Sequence, residues 1–88
     1  MNFTTELNKD ILNYVESLNV ICGINDDGVI TLDRTSMMNC KVCENFSRED
    51  DCYHMILELI KEKFNDGKYW MTYAGKTDDV YFLTIYIR

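Results

Sequence analysis

Apolar positions recur along this chain with a step that changes from one segment to the next. Leu7, Ile11, Leu12, Val15 and Leu18 follow one another at three- and four-residue steps and form a single helical stripe. The spacing predicts a helix over 5–18. Thr4 or Thr5 can accept its first amide protons, Glu6 complements the positive end of its dipole, and Asn19 stops it. Beyond it, the β-branched runs Val20-Ile21-Cys22-Gly23-Ile24 and Val29-Ile30-Thr31-Leu32 flank Asn25-Asp26-Asp27-Gly28. Such runs around an Asp-Gly turn predict a hairpin.

The stretch 35–46 shows no period and reads as a loop or an irregular third strand. A helical pattern resumes after Ser47, whose hydroxyl is placed to cap the amide of Asp50 while Asp50 reaches back. Tyr53, Ile56, Leu57, Ile60 and Phe64 supply the buried side, and Asn65-Asp66-Gly67 closes the helix. Residues 69–73 and 80–87 read as strands joined around Gly75-Lys76-Thr77-Asp78-Asp79. The order α-β-β-α-β-β predicts an α+β fold. Its antiparallel sheet has about four strands, with two helices packed on one face.

Length and composition narrow the picture. At 88 residues the chain makes one small domain, 1–88, and with no proline its turns must be built by Gly, Asn and Asp. Nine basic residues against fifteen acidic ones leave a net charge of -6. That balance argues against direct binding of nucleic-acid phosphates, which would meet a repulsive field. The longest apolar runs, Val20 to Cys22 and Val80 to Leu83, fall far short of the roughly 20 residues a membrane span needs. Met1-Asn2-Phe3-Thr4-Thr5-Glu6 has no basic region ahead of an apolar one. A cytoplasmic chain with no membrane partner is therefore expected.

In a reducing compartment Cys22, Cys40, Cys43 and Cys52 read as buried hydrophobes or metal ligands before disulfides. Cys40-x2-Cys43 just ahead of a helix is a common way to give zinc two thiolates. Cys52 and His54 cannot both join it, because residues two apart on a helix point about 200° apart. The expected ligand set is Cys40 and Cys43 with Cys22 and one of Cys52 or His54. A redox role for the pair is disfavoured, since Glu44, Glu49, Asp50 and Asp51 suppress thiolate formation. His54 is the lone histidine, no Gly-rich phosphate loop or G-x-S-x-G turn occurs, and no catalytic set is expected.

Acidic residues offer a second kind of site. Asp51, Glu58, Glu62 and Asp66 fall on one stripe of the second helix, and four-residue steps rise about 6 Å, close to the spacing of phosphates on a nucleic-acid strand. Asp26-Asp27 and Asp78-Asp79 add acid pairs in the two hairpin loops. The last strand sets Phe82 and Tyr86 on the face opposite Tyr81 and Leu83, and Trp70 belongs to an aromatic set on the preceding strand. Helices on one side of a four-stranded sheet leave such a face uncovered, which favours self-association as a homodimer. The expectation is a small acidic antagonist of the phage anti-defence or immunity type. Its partner is a basic protein surface, such as a nuclease or another nucleic-acid-handling enzyme. A zinc-stabilised interaction module is the alternative.

Overall fold

The structure, a computed structural model, describes residues 3–64, 67 and 69–87. Helix α1 (Phe3–Ser17) leads into strands β1 (Cys22–Ile24) and β2 (Ile30–Asp33). A short helix α2 (Arg34–Asn39) and a single 3-10 turn (Lys41–Cys43) then run to helix α3 (Glu49–Lys63). Strands β3 (Tyr69–Lys76) and β4 (Val80–Ile87) complete the chain. The expected α+β order holds, with α2 as an added element.

The stripe read on α1 is the buried one: Leu7, Ile11 and Val15 lie in the core, and Leu12 and Leu18 pack against it. The helix ends where Asn19 takes a left-handed backbone, φ 68°. The amide of Asn19 then bonds the Glu16 carbonyl at 2.9 Å and that of Val20 the Val15 carbonyl at 3.5 Å. These are the two bonds of a Schellman cap, with buried Val15 and Val20 as its apolar contact. In the first hairpin, Asn25 Oδ1 accepts from the amides of Asp27 and Val29, each at 3.0 Å. Gly28 turns the corner at φ 81°.

Two local expectations are corrected. The stretch 35–46 begins as helix, 35–39 in α2 and 41–43 in the 3-10 turn, because Asp33 closes β2 and caps α2 at once: Asp33 Oδ2 accepts from the Ser36 amide at 2.9 Å. Nor does Ser47 cap the next helix. The cap position of α3 is Arg48, with no side-chain bond to the amides, and Glu49, Asp50 and Asp51 in the first turn balance the dipole instead. The expected closure at Asn65 and Asp66 lies outside the described residues.

All strand pairs are antiparallel, in the order β1-β2-β4-β3. Ile30, Leu32, Met71, Tyr81 and Leu83 join Ile11, Val15, Tyr53, Ile56 and Ile60 in one core between sheet and helices. On the other face Gly23, Thr31, Thr72, Phe82, Thr84 and Tyr86 are all at least partly exposed. The helices cover one side of the sheet. β2 pairs Asp33 with Val80 and Ile30 with Leu83, so the β1–β2 loop and the β3–β4 loop lie at opposite ends of the sheet.

Candidate thiol centre and acidic surface

Three of the four cysteines meet at one point. Cys40 ends α2, Cys43 ends the 3-10 turn and Cys52 sits one turn into α3; their sulfurs lie within 4.8 Å of one another. All three are buried, at 3%, 2% and 0% exposure. Cys43 and Cys52 are joined as a disulfide across a Cα separation of 5.2 Å, and Cys40 Sγ stands 3.5 Å from Cys43 Sγ. The Cys52 sulfur also lies 3.6 Å from the Met37 carbonyl. The 3-10 turn brings the Cys40-x2-Cys43 sulfurs onto one side, and α3 supplies the third from across the core.

The expected ligand set is thereby altered. Cys22 lies at the start of β1 against α1, with its thiol donating to the Leu12 carbonyl at 3.5 Å. Burial and the nearby Glu16 carboxylate push that thiol up to about 11, so it stays protonated. His54 is exposed, with its ring edge-on to Tyr53 at 5.7 Å, and does not join the sulfurs. Among the described residues, no other Cys, His, Asp or Glu completes the group.

A polar latch at the foot of α3 escaped the sequence reading. The Arg34 guanidinium binds the Glu49 carboxylate and donates to the Asp78 carbonyl at 2.9 Å. The buried Tyr81 donates its hydroxyl to Asp50 Oδ1 at 2.7 Å, and Lys76 Nζ meets the same oxygen at 3.1 Å. The hydrogen bond from Arg34 holds the Glu49 carboxyl below its usual range, and those from Tyr81 and Lys76 do the same for Asp50. The Tyr81 phenol is pushed up, by burial first and by Asp50 next. Its signal was the run Glu49-Asp50-Asp51, which needs cations from other elements, and chain spacing does not say which. Asp50 and Lys76 also line a shallow cleft of about 180 Å³ with Tyr53, His54 and Tyr73. The Asp50 carboxylate there is committed to Tyr81 and Lys76.

Of the acidic stripe, Asp51, Glu58 and Glu62 are exposed on one side of α3, and Asp66 lies outside the described residues. Glu58 pairs with Lys61 at 3.6 Å, one turn away. The row is interrupted: Met55, 39% exposed, stands between Asp51 and Glu58. Asp51 and Glu58 are therefore about 10.5 Å apart along the axis, and Glu58 and Glu62 about 6 Å. Asp78 and Asp79 are exposed beside the first turn of α3, tied there by Arg34, whose amide also bonds the Asp79 carbonyl at 2.9 Å. Asp26 and Asp27 are exposed at the other end of the sheet. The structure thus gathers two of the expected acidic elements and separates the third.

On the open sheet face Phe82 is partly exposed and Tyr86 is 44% exposed. Trp70 pairs with Tyr86 in the β3–β4 register, and its side chain lies outside the described residues. No helix of the described residues is long and apolar enough to cross a membrane. No family model, curated protein or solved structure matches the chain.

Proposed function

We propose that this chain is a small intracellular binding protein that presents carboxylates to a basic partner, a nuclease or other nucleic-acid-handling protein, and antagonises it without chemistry of its own. The observation that carries this reading is the exposed set Asp51, Glu58 and Glu62 on α3, with Asp78 and Asp79 beside the foot of the same helix. Held on a packed helix, these residues have little backbone freedom left to lose when a cationic groove closes over them. At physiological salt the screening length is about 8 Å, so Glu58 and Glu62, about 6 Å apart along the axis, act on a partner together, and Asp51 acts more independently. Complementary fields of this sort steer encounter and select partners more than they add raw affinity. The kinship to phage and immunity-type inhibitors is one of size and charge.

The chain immobilised at low salt is expected to retain basic nucleic-acid-handling proteins from its native cytosol and to release them steeply as salt rises. Reversing Glu58→Lys and Glu62→Lys together should abolish that retention. Equal capture by the charge-reversed chain, or capture indifferent to salt, would remove the reading.

A further inference from the structure

We propose that Cys40, Cys43 and Cys52 form a zinc site in the reduced protein, with three thiolates and one water as ligands, and that oxidation expels the ion by forming the Cys43–Cys52 disulfide. The inference concerns the interior and does not depend on the acidic surface. Thiolates about 2.3 Å from a tetrahedral zinc stand roughly 3.8 Å from one another. The Cys40 and Cys43 sulfurs, at 3.5 Å, already hold nearly that spacing, and Cys52 lies within 4.8 Å of both. The three ligands come from the end of α2, the 3-10 turn and the first turn of α3, so one ion ties together three short pieces of chain. Burial as small hydrophobes accounts for any one of these thiols. It does not account for three sulfurs converging on a single point, and the Cys43–Cys52 disulfide accounts for two of them but not for Cys40 Sγ at 3.5 Å.

The chemistry of the set selects the ion. Sulfur-only ligation favours a soft or borderline cation and disfavours calcium or magnesium, which take oxygen. With no fourth Cys, His, Asp or Glu in the group among the described residues, a water takes the remaining position.

Metal and disulfide compete for the same atoms. The Cα separation of 5.2 Å between Cys43 and Cys52 lies inside the disulfide range of about 4.4–6.8 Å. With hydrogen peroxide as oxidant, the two thiolates give up two electrons and the S–S bond forms. The peroxide O–O bond breaks and takes those electrons with two protons to give two waters. The zinc ion leaves hydrated, and Cys40 takes a proton from solvent.

The test uses the full chain purified under reducing conditions with zinc supplied. Metal analysis should find one zinc per chain, and cobalt in its place should show thiolate-to-cobalt charge-transfer absorption. Cys22→Ser should keep the ion, and Cys40→Ser should lose it. Hydrogen peroxide should release the zinc from the parent and leave a Cys43–Cys52 disulfide in its peptide map, and the same disulfide should form in Cys40→Ser, which holds no ion. A folded, reduced parent with four titratable thiols and no zinc would overturn the site, whatever the variants do. Cobalt bound without the sulfur absorption would overturn it too, by placing the metal on surface carboxylates. Zinc that stays bound through peroxide treatment would overturn the exchange alone.

Discussion

Tyr81 shows how one buried tyrosine fixes two acids, the half-buried Glu49 and the exposed Asp50. Its ring is fully buried, stacked on Tyr53 at a centroid distance of 4.9 Å, while its hydroxyl reaches Asp50 at 2.7 Å and Glu49 at 3.3 Å. Those acids in turn fix Lys76 and Arg34 on separate elements. Both carboxyls are held below their ordinary values of roughly 4.3 for Glu and 3.9 for Asp. Depressed carboxyls contribute stability that is present above the unfolded values and is lost as pH falls through the folded ones. Acid also relieves repulsion among the other carboxylates, which acts in the opposite direction, so the parent chain alone does not isolate the latch. The difference between parent and Tyr81→Phe does. In urea titrations that difference should be largest near neutral pH and shrink below about pH 4, as the acceptors protonate. A difference unchanged across that range would mean that the hydroxyl does not work through the carboxylates.

Elements were legible in the sequence where a strong period and a local stop coincide. On α1 the stripe through Leu7, Ile11 and Val15 and the stop at Asn19 agree, and both stand in the structure. The cap there is local enough to test. A side chain with a Cβ and no local hydrogen bonding costs roughly 1–2 kcal/mol in the left-handed region. Asn19→Ala should therefore lower stability by about 1 kcal/mol, or ~4–8 °C in thermal midpoint, while Asn19→Gly leaves it level or slightly raised. Loss on the glycine change would contradict the cap. The stretch 35–46 was illegible for a physical reason: α2 has six residues, fewer than two turns, too short for a period to emerge. Its one signal is Asp33, which stands directly after the run Val29-Ile30-Thr31-Leu32 and caps α2. The start of α3 misled differently, since Ser47 has the cap chemistry but lies one residue before the cap position. The thiol centre was half legible. Cys40 and Cys43 are adjacent through local spacing, whereas the choice of Cys52 over Cys22 depends on how α3 and β1 pack.

For the molecule as a whole, the α3 acids and the open sheet face lie on different sides, and the two contacts proposed for them differ in the sign of their salt dependence. The β3–β4 loop acids lie beside the first turn of α3, Glu58 and Glu62 lie farther along the same helix, and the open sheet face carries Phe82 and Tyr86 among threonines. The proposed partner binding through the acids would weaken as salt rises, because screening removes attraction. Self-association through the sheet face, the pairing expected from the sequence, would bring together two chains that each carry a net charge of -6, so screening would remove repulsion and strengthen pairing. Sedimentation measured from low to high salt separates the two. The dimer fraction should rise with salt at fixed concentration, and Phe82→Asp, which puts a charge in the middle of the open face, should return the chain to monomer at every salt. The same variant should keep its salt-sensitive capture of a basic partner, since the acids lie elsewhere. A chain that remains monomeric at high salt, or a dimer untouched by Phe82→Asp, would leave the open face without a role in pairing.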